Sequence, residues 1–271
     1  MRYIVPVFGL LALSTLAGCP RLKDDGFTRG EAEEALEEAE GSAASEDLMV
    51  ASVEISTSFT IGGAVENAAV ELRSFLAAEL PCAEITLEGA TLTVEYGAKP
   101  GDCSYRGHEF SGTTVVSVEA NSTSDVRVHH EWIGFSNGVV TLDGTADVTW
   151  NFEALERHVV HHTEWTHLAT GRTGVGEGDR VQKPLAGGIA EGFVVDGSRS
   201  WTGNLGRRWD LAIDGVEMRW ADPVPQAGSY TLEAPSGKTL ALSFSRVDAD
   251  TIEVTVTGPR GRSFSFNVNK R

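Results

Sequence analysis

Cysteine is scarce in this chain of 271 residues, with three copies, and basic side chains are outnumbered, 22 against 39 acidic ones. The resulting charge of −17 excludes partners that need a basic patch, nucleic acid and anionic lipid heads among them. Beyond the first 18 residues charges break every apolar stretch, so no later segment reads as a membrane-spanning helix. From Ala83 onward no helical pattern separates the strands, which excludes a parallel α/β sheet. No histidine sits in a recognisable nucleophile context, and the carboxylates are too scattered to nominate a glycosidase pair. On these grounds the sequence assigns no catalytic residue and no cofactor.

What is present begins with an export signal. Arg2 precedes an apolar run from Tyr3 to Leu13, then the small residues up to Gly18, an arrangement of a secretory signal too short for a stable span. Leu16-Ala17-Gly18-Cys19 resembles the lipobox of bacterial lipoproteins, which implies cleavage before Cys19 and lipid on its thiol. Several acyl chains, each contributing about 0.8 kcal/mol per buried methylene, anchor firmly. Pro20 stands where an Asp in that family favours inner-membrane retention, so the resemblance implies a cell-envelope protein at the outer membrane. Arg2 being the only charge removed, the mature part holds 21 basic and 39 acidic residues.

Residues 1–18 therefore read as signal peptide, 19–48 as a lipidated acidic tether and 49–271 as a β-rich domain. From Pro20 to Asp47 there are ten acidic and three basic residues and almost no apolar stripe, so a loose helix or spacer is expected. Ile61, Val65, Ala68, Leu72, Phe75, Leu76 and Leu80 recur at helical steps, with Pro81 as the stop, which predicts one packed amphipathic helix near 61–80.

Cys82 and Cys103 remain as a pair, and in an exported protein such a pair reads as a disulfide. Residues 83–87 and 90–94 alternate like strands around Glu88-Gly89, a two-residue turn that sets Cys82 opposite Glu95. The loop 97–102 can then return Cys103 beside Cys82, closing a span that contributes about 3 kcal/mol. Two lone thiols make a poor zinc site.

Period-two alternation cut by glycine continues to the end, as in Thr251-Ile-Glu-Val-Thr-Val-Thr257. The expected fold is mainly β, a large antiparallel meander of long hairpins, open or folded into a sandwich. Val128-His-His-Glu-Trp132 recurs as Val160-His-His-Thr-Glu-Trp165, which suggests a repeated hairpin unit. Asn137-Gly138 reads as a turn and Asp143-Gly144 as a kink or bulge. Asn204-Leu205-Gly206 reads as a three-residue loop that sets Trp201 against Trp209. If Asp214-Gly215 also turned, Trp220 would join that row; otherwise 207–220 is one long strand.

Six of seven histidines fall between His129 and His167. His129, His130, His161, His162 and Glu164 are candidate ligands for zinc or copper. On strands that flank a third, same-face ligands would stand about 10 Å apart, too far for one ion, so no metal is assigned. In the second copy His158, His162 and Glu164 should share one face and His161, Trp165 and His167 the other. Gly171 to Asp179 lacks the Lys-Ser/Thr ending of a phosphate loop and reads as a flexible hairpin tip. The six tryptophans would suit carbohydrate or peptide if exposed in a row, and sheet packing if buried.

With the lipobox and acidic spacer, four stretches resemble uncharacterised lipoproteins of myxobacteria and related deltaproteobacteria. They are Leu92-Thr-Val-Glu-Tyr-Gly97, Cys103-Ser-Tyr-Arg-Gly107, Gly138-Val-Val-Thr-Leu-Asp-Gly144 and Asp222-Pro-Val-Pro-Gln-Ala-Gly228. The resemblance implies an envelope location and a large antiparallel sheet, and transfers no activity. The function expected is a lipid-anchored β-scaffold or binding module for a protein, glycan or lipid partner. The alternatives are a hydrolase, metal-dependent or otherwise, and a lipid or lipoprotein carrier. Replacing the anchor residue, Cys19→Ser, should abolish lipidation and release the protein from detergent-phase and membrane fractions; unchanged partition would refute the lipobox reading.

Overall fold

The computed structural model describes Gly26 and residues 29–105, 108–219 and 221–269, so the residues read as signal and lipobox, and Trp220, lie outside the described residues. Helices α1 (Arg29–Ile55) and α2 (Val65–Glu79) come first. They are followed by β1 (Glu84–Glu88), β2 (Thr91–Tyr96), β3 (Ser104–Tyr105), β4 (His108–Glu109), β5 (Ser111–Asn121), β6 (Asp125–Ser136), β7 (Val140–Asn151) and β8 (Glu156–His167). Then come β9 (Thr173–Leu185), β10 (Gly188–Gly203), β11 (Arg208–Arg219), β12 (Ala227–Glu233), β13 (Thr239–Arg246), β14 (Thr251–Thr257) and β15 (Ser263–Asn269). Thirteen strands form one open antiparallel sheet in chain order, with β1 and β15 at its edges; β3 and β4 pair separately. The mainly β meander with a packed N-terminal helix is thus observed, as a single sheet rather than a sandwich.

Both helices lie on one face of this sheet, α2 on β1, β2 and β5, and α1 on β7, β8 and β9. α2 begins four residues later than its periodicity predicts. Ala68, Ala69, Leu72 and Leu76 are its buried side, and Ile61 stays exposed in the preceding loop. α1 is the larger departure: residues 29–48, expected as spacer, are helix laid against the sheet. Its inward side consists of Ala35, Glu38, Ala39, Ser42, Ala43, Ser45, Leu48, Met49, Ser52 and Val53, all buried. Small and acidic residues do not register as an apolar stripe, which is why the pattern passed for a tether.

The sheet accommodates so close a helix through its glycines. One row of the covered face reads Trp132, Gly144, Thr163, Gly176, Trp201, Trp209 across six strands. Beside it Trp165 fills the space over Gly174 and under Gly41 of α1, where a Cβ would come within 2.6 Å of the ring. Residues 171–179 are therefore no hairpin tip. Thr173 onward is β9, whose alternate glycines face the Trp165 and His161 rings, and the loop itself is 168–172.

Most turns fall where the sequence places them, with one shift. The first hairpin turns one residue later, at Gly89-Ala90, and pairs Glu84 rather than Cys82 with Glu95. The disulfide forms nonetheless, Cys82 to Cys103 with Cα atoms 5.4 Å apart. Asp214-Gly215 does not turn: β11 continues through it with a bulge, and the Gly215 N–H donates to Asp196 Oδ1 at 2.7 Å. The same device recurs where the Gly134 N–H donates to Asp143 Oδ1 at 2.7 Å beside a bulge in β6. A neighbouring-strand carboxylate caps each N–H that the bulge frees, so an Asp-Gly pair need not be a turn.

The three-residue loop at Asn204-Leu205-Gly206 is observed, with Gly206 at φ +70° and Trp201 directly opposite Trp209. Their rings stack with centroids 6.2 Å apart. Trp132, Trp165, Trp201 and Trp209 are all buried on the helix-covered face, so they make packing rather than an exposed aromatic row. Trp201→Ala should cost about 3–5 kcal/mol, measurable as a lowered chemical-denaturation midpoint; a loss below 1 kcal/mol would contradict this packing.

Candidate functional site

With one face filled by helices, the functional groups divide by strand parity. On the covered face α1 is held by ion pairs along its length. Lys238 donates to Glu31 at 2.7 Å, Arg207 to Glu34 at 2.9 Å, Arg172 to Glu38 at 3.2 Å and Arg157 to Glu54 at 2.5 Å. At the centre Glu46 meets Arg180 in a close pair, Arg199 at 3.5 Å and His161 at 3.7 Å. Arg199 also lies over the Trp201 ring, 5.6 Å from its centroid.

Burial opposes ionisation of Glu46, but the Arg180, His161 and Arg199 charges prevail and hold its pKa at about 2. His161 is pushed down to about 4, by burial first and by the two arginines, although Glu46 pulls the other way. Burial likewise pushes His130 down to about 3 and Tyr230, beside Arg199, up to about 12.

The two histidine copies occupy β6 and β8, flanking β7, and His130 aligns with His161 through Ala146. Both are buried on the covered face, whereas His129 and His162 face outward. The alternation expected for His158, His162 and Glu164 against His161, Trp165 and His167 is observed. Each outward imidazole meets one carboxylate on the next strand: His129 with Asp147 at 2.7 Å, His158 with Asp179 at 2.6 Å and His162 with Glu177 at 3.6 Å. Among the described residues no three His, Cys, Asp or Glu converge to hold a metal ion.

Two hydroxyls merit comparison with nucleophiles. Gly134-Phe135-Ser136-Asn137-Gly138 has the spacing of a nucleophile elbow, a match the sequence reading missed. It sits at the β6–β7 hairpin rather than a strand-to-helix turn, and Ser136 Oγ donates to the Val140 carbonyl at 2.6 Å. Ser56 lies 3.3 Å from His130 Nε2 but donates its proton to the Val53 carbonyl, so the ring donates to it and no general-base pair forms.

Two concavities among the described residues bear on function. A shallow trough of about 670 Å³ on the uncovered face spans β7 to β13. One row across it reads Thr145, His162, Glu177, Ser200, Asp210, Glu233, and Asp147 and Asp179 lie in the next row. Of its two arginines, Arg208 pairs with Asp210 at 3.0 Å and Arg199 turns to Glu46 on the covered face. The trough lining is acidic and hydroxylated, with no aromatic ring besides the imidazoles.

A second cavity of about 330 Å³ opens where the end of α1 meets the β7–β8 turn. Phe59, Trp150, Phe152, Leu155 and Phe193 line it, beside the Arg157–Glu54 pair. Its volume suits a small apolar group, at the low end for ligand pockets. Compared with known proteins, no family model, curated protein or solved structure matches the chain.

Glu46, His161 and His130 set a pH dependence of one sign, opposed at acid pH by Glu38 and Asp47, whose carboxyls burial pushes up. His161 and His130 have folded pKa values below 6.5, so the unfolded chain takes up their protons first and stability falls as pH drops from 6.5 toward 4 and 3. Glu46 contributes stability above its ordinary 4.5 that is lost as pH falls toward 2. Denaturation midpoints should therefore decline continuously below pH 6.5, and a His130→Asn/His161→Gln variant should flatten the upper part of that decline. Glu46→Ala at neutral pH leaves Arg180 and Arg199 buried without a counter-charge and should cost about 3–5 kcal/mol; an unchanged melting temperature would show that the cluster is not closed.

Proposed function

We propose that this protein is a lipid-anchored scaffold of the bacterial envelope, a binding module whose helix-free sheet face, with its acidic trough, receives a basic partner. The observation that carries the reading is the division of the two faces. α1 and α2 cover one from β1 to β9, and the other carries no helix, with carboxylates and hydroxyls along its trough.

The lipobox-like Leu16-Ala17-Gly18-Cys19, and the resemblance to deltaproteobacterial lipoproteins, support the anchor. The placement of α1 then orients the body. Its N-terminal end sits by Arg207 and Lys238, at the end of the sheet bearing the 204–206 and 235–237 turns. Residues 20–28 between anchor and helix reach about 30 Å at full extension, so that end of the sheet stays toward the membrane. The trough lies alongside, and the apolar cavity points away.

The formal charge of −17 and the absence of aromatic rings on the trough favour a cationic ligand over a stacked sugar. Oligolysine is the probe: the membrane-bound protein should bind it at low salt and release it at high salt, while oligoglutamate should not bind. The triple substitution Glu177→Gln, Asp179→Asn, Asp210→Asn should weaken binding about tenfold. Equal affinity for that variant would move the site elsewhere and overturn the proposal.

A further inference from the structure

The edge strand β15 reads Ser263-Phe264-Ser265-Phe266-Asn267-Val268-Asn269, without charge or proline, and keeps unbroken register with β14. A flat uncharged edge is a template for another strand, and sheets that avoid such pairing blunt it with Lys, Pro or a bulge. Phe264 is 59% and Phe266 36% exposed, their rings stacked 6.3 Å apart. Opposite Val256 and Val254, they continue the face that the helices cover elsewhere. The other edge differs: β1 is Glu84-Ile85-Thr86-Leu87-Glu88, carboxylates outward and Ile85 and Leu87 turned toward the core.

We propose that β15 docks the β1 edge of a second copy, parallel and head to tail, so that anchored copies join side by side into a continuous sheet. Charge favours this pairing over the symmetric ones. Residues 258–269 hold Arg260 and Arg262 and no acid, against Glu84 and Glu88 on β1, whereas β1 against β1 would oppose carboxylates. Orientation favours it as well, and here the inference rests on the anchored reading. In a meander of thirteen strands the two edges run the same way, both from the membrane-side turns outward. Two β15 strands pairing antiparallel would turn one copy upside down and lift its anchor from the membrane. Parallel pairing of β15 with β1 keeps both anchors on one side.

The register then matches like with like. Phe264 falls beside Ile85 and Phe266 beside Leu87 on the helix side; Ser265 falls beside Thr86 on the other, with Ser263 and Asn267 beside Glu84 and Glu88. Such a heterologous contact repeats, so its products are chains of copies rather than closed dimers.

The test is oxidative cross-linking of the full-length protein in native membranes. With Cys19 acylated and Cys82 joined to Cys103, the double variant Thr86→Cys/Ser265→Cys carries the two free thiols and should give a ladder of dimers, trimers and higher species. Ser265→Cys alone should stay monomeric. Adding Phe266→Lys should reduce the ladder about tenfold, with circular dichroism and the Cys82–Cys103 linkage unchanged as the check on folding. A dimer from Ser265→Cys alone would overturn the head-to-tail arrangement in favour of a symmetric one. Monomer throughout, or cross-links to a different protein, would overturn the second copy as occupant. Loss of the protein from the membrane fraction would instead strike at the anchored reading.

Discussion

Helix α1 meets the sheet through carboxylates, and most of the architecture follows from making that contact possible. Glu46 is enclosed by Arg180, Arg199 and His161, and further pairs run outward to Lys238 at one end and Arg157 at the other. Buried ion pairs seldom add much net stability, because desolvation offsets the attraction, but breaking one is costly. Their effect here is to fix position: with acids at 31, 34, 38, 46 and 54 each meeting a particular base, sliding or rotating the helix would strand several charges at once. The sheet in turn needs alternate glycines on β9 so that Trp165 and His161 lie flat beneath the helix.

Because the covered face is filled in this way, chemistry has to be sought on the other. The histidine repeat shows how strand parity divides one motif: His130 and His161 are drawn into the helix-covered layer and held neutral, while His129 and His162 face solvent, each beside one carboxylate. Neighbouring residues in the chain thus serve opposite faces, which disperses what the sequence presents as a cluster. The trough that results is broad, shallow and acidic, a shape suited to display and contact rather than to enclosing a substrate.

Much of the sheet was legible in the sequence. Period-two alternation gave the meander, Gly206 gave the loop that stacks Trp201 on Trp209, and the cysteine pair gave the disulfide across a hairpin that slid by one residue. At Gly215 a turn and a continuous strand were both open, and the strand prevails with a bulge, because Asp196 on the neighbouring strand satisfies its freed N–H. Two other features were misread for definite reasons. The glycines of β9 resemble a flexible tip but make room for rings contributed by another strand. The first part of α1, residues 29–47, showed no apolar stripe because its buried side is built from Ala, Ser, Gly and Glu.

What the sequence determined by itself is local: alternation, turn chemistry, the pairing of two thiols and the acidity of the helix are all set by residues a few positions apart. Whether those acids face water or a basic partner depends on residues 103 to 207 positions away in the chain, from Arg157–Glu54 to Lys238–Glu31. No local pattern encodes that meeting, because a glutamate reads as solvated until a counter-charge is placed beside it. Only the tertiary structure brings the strands into order, turns alternate arginines to one face and thereby makes an acidic segment part of the core.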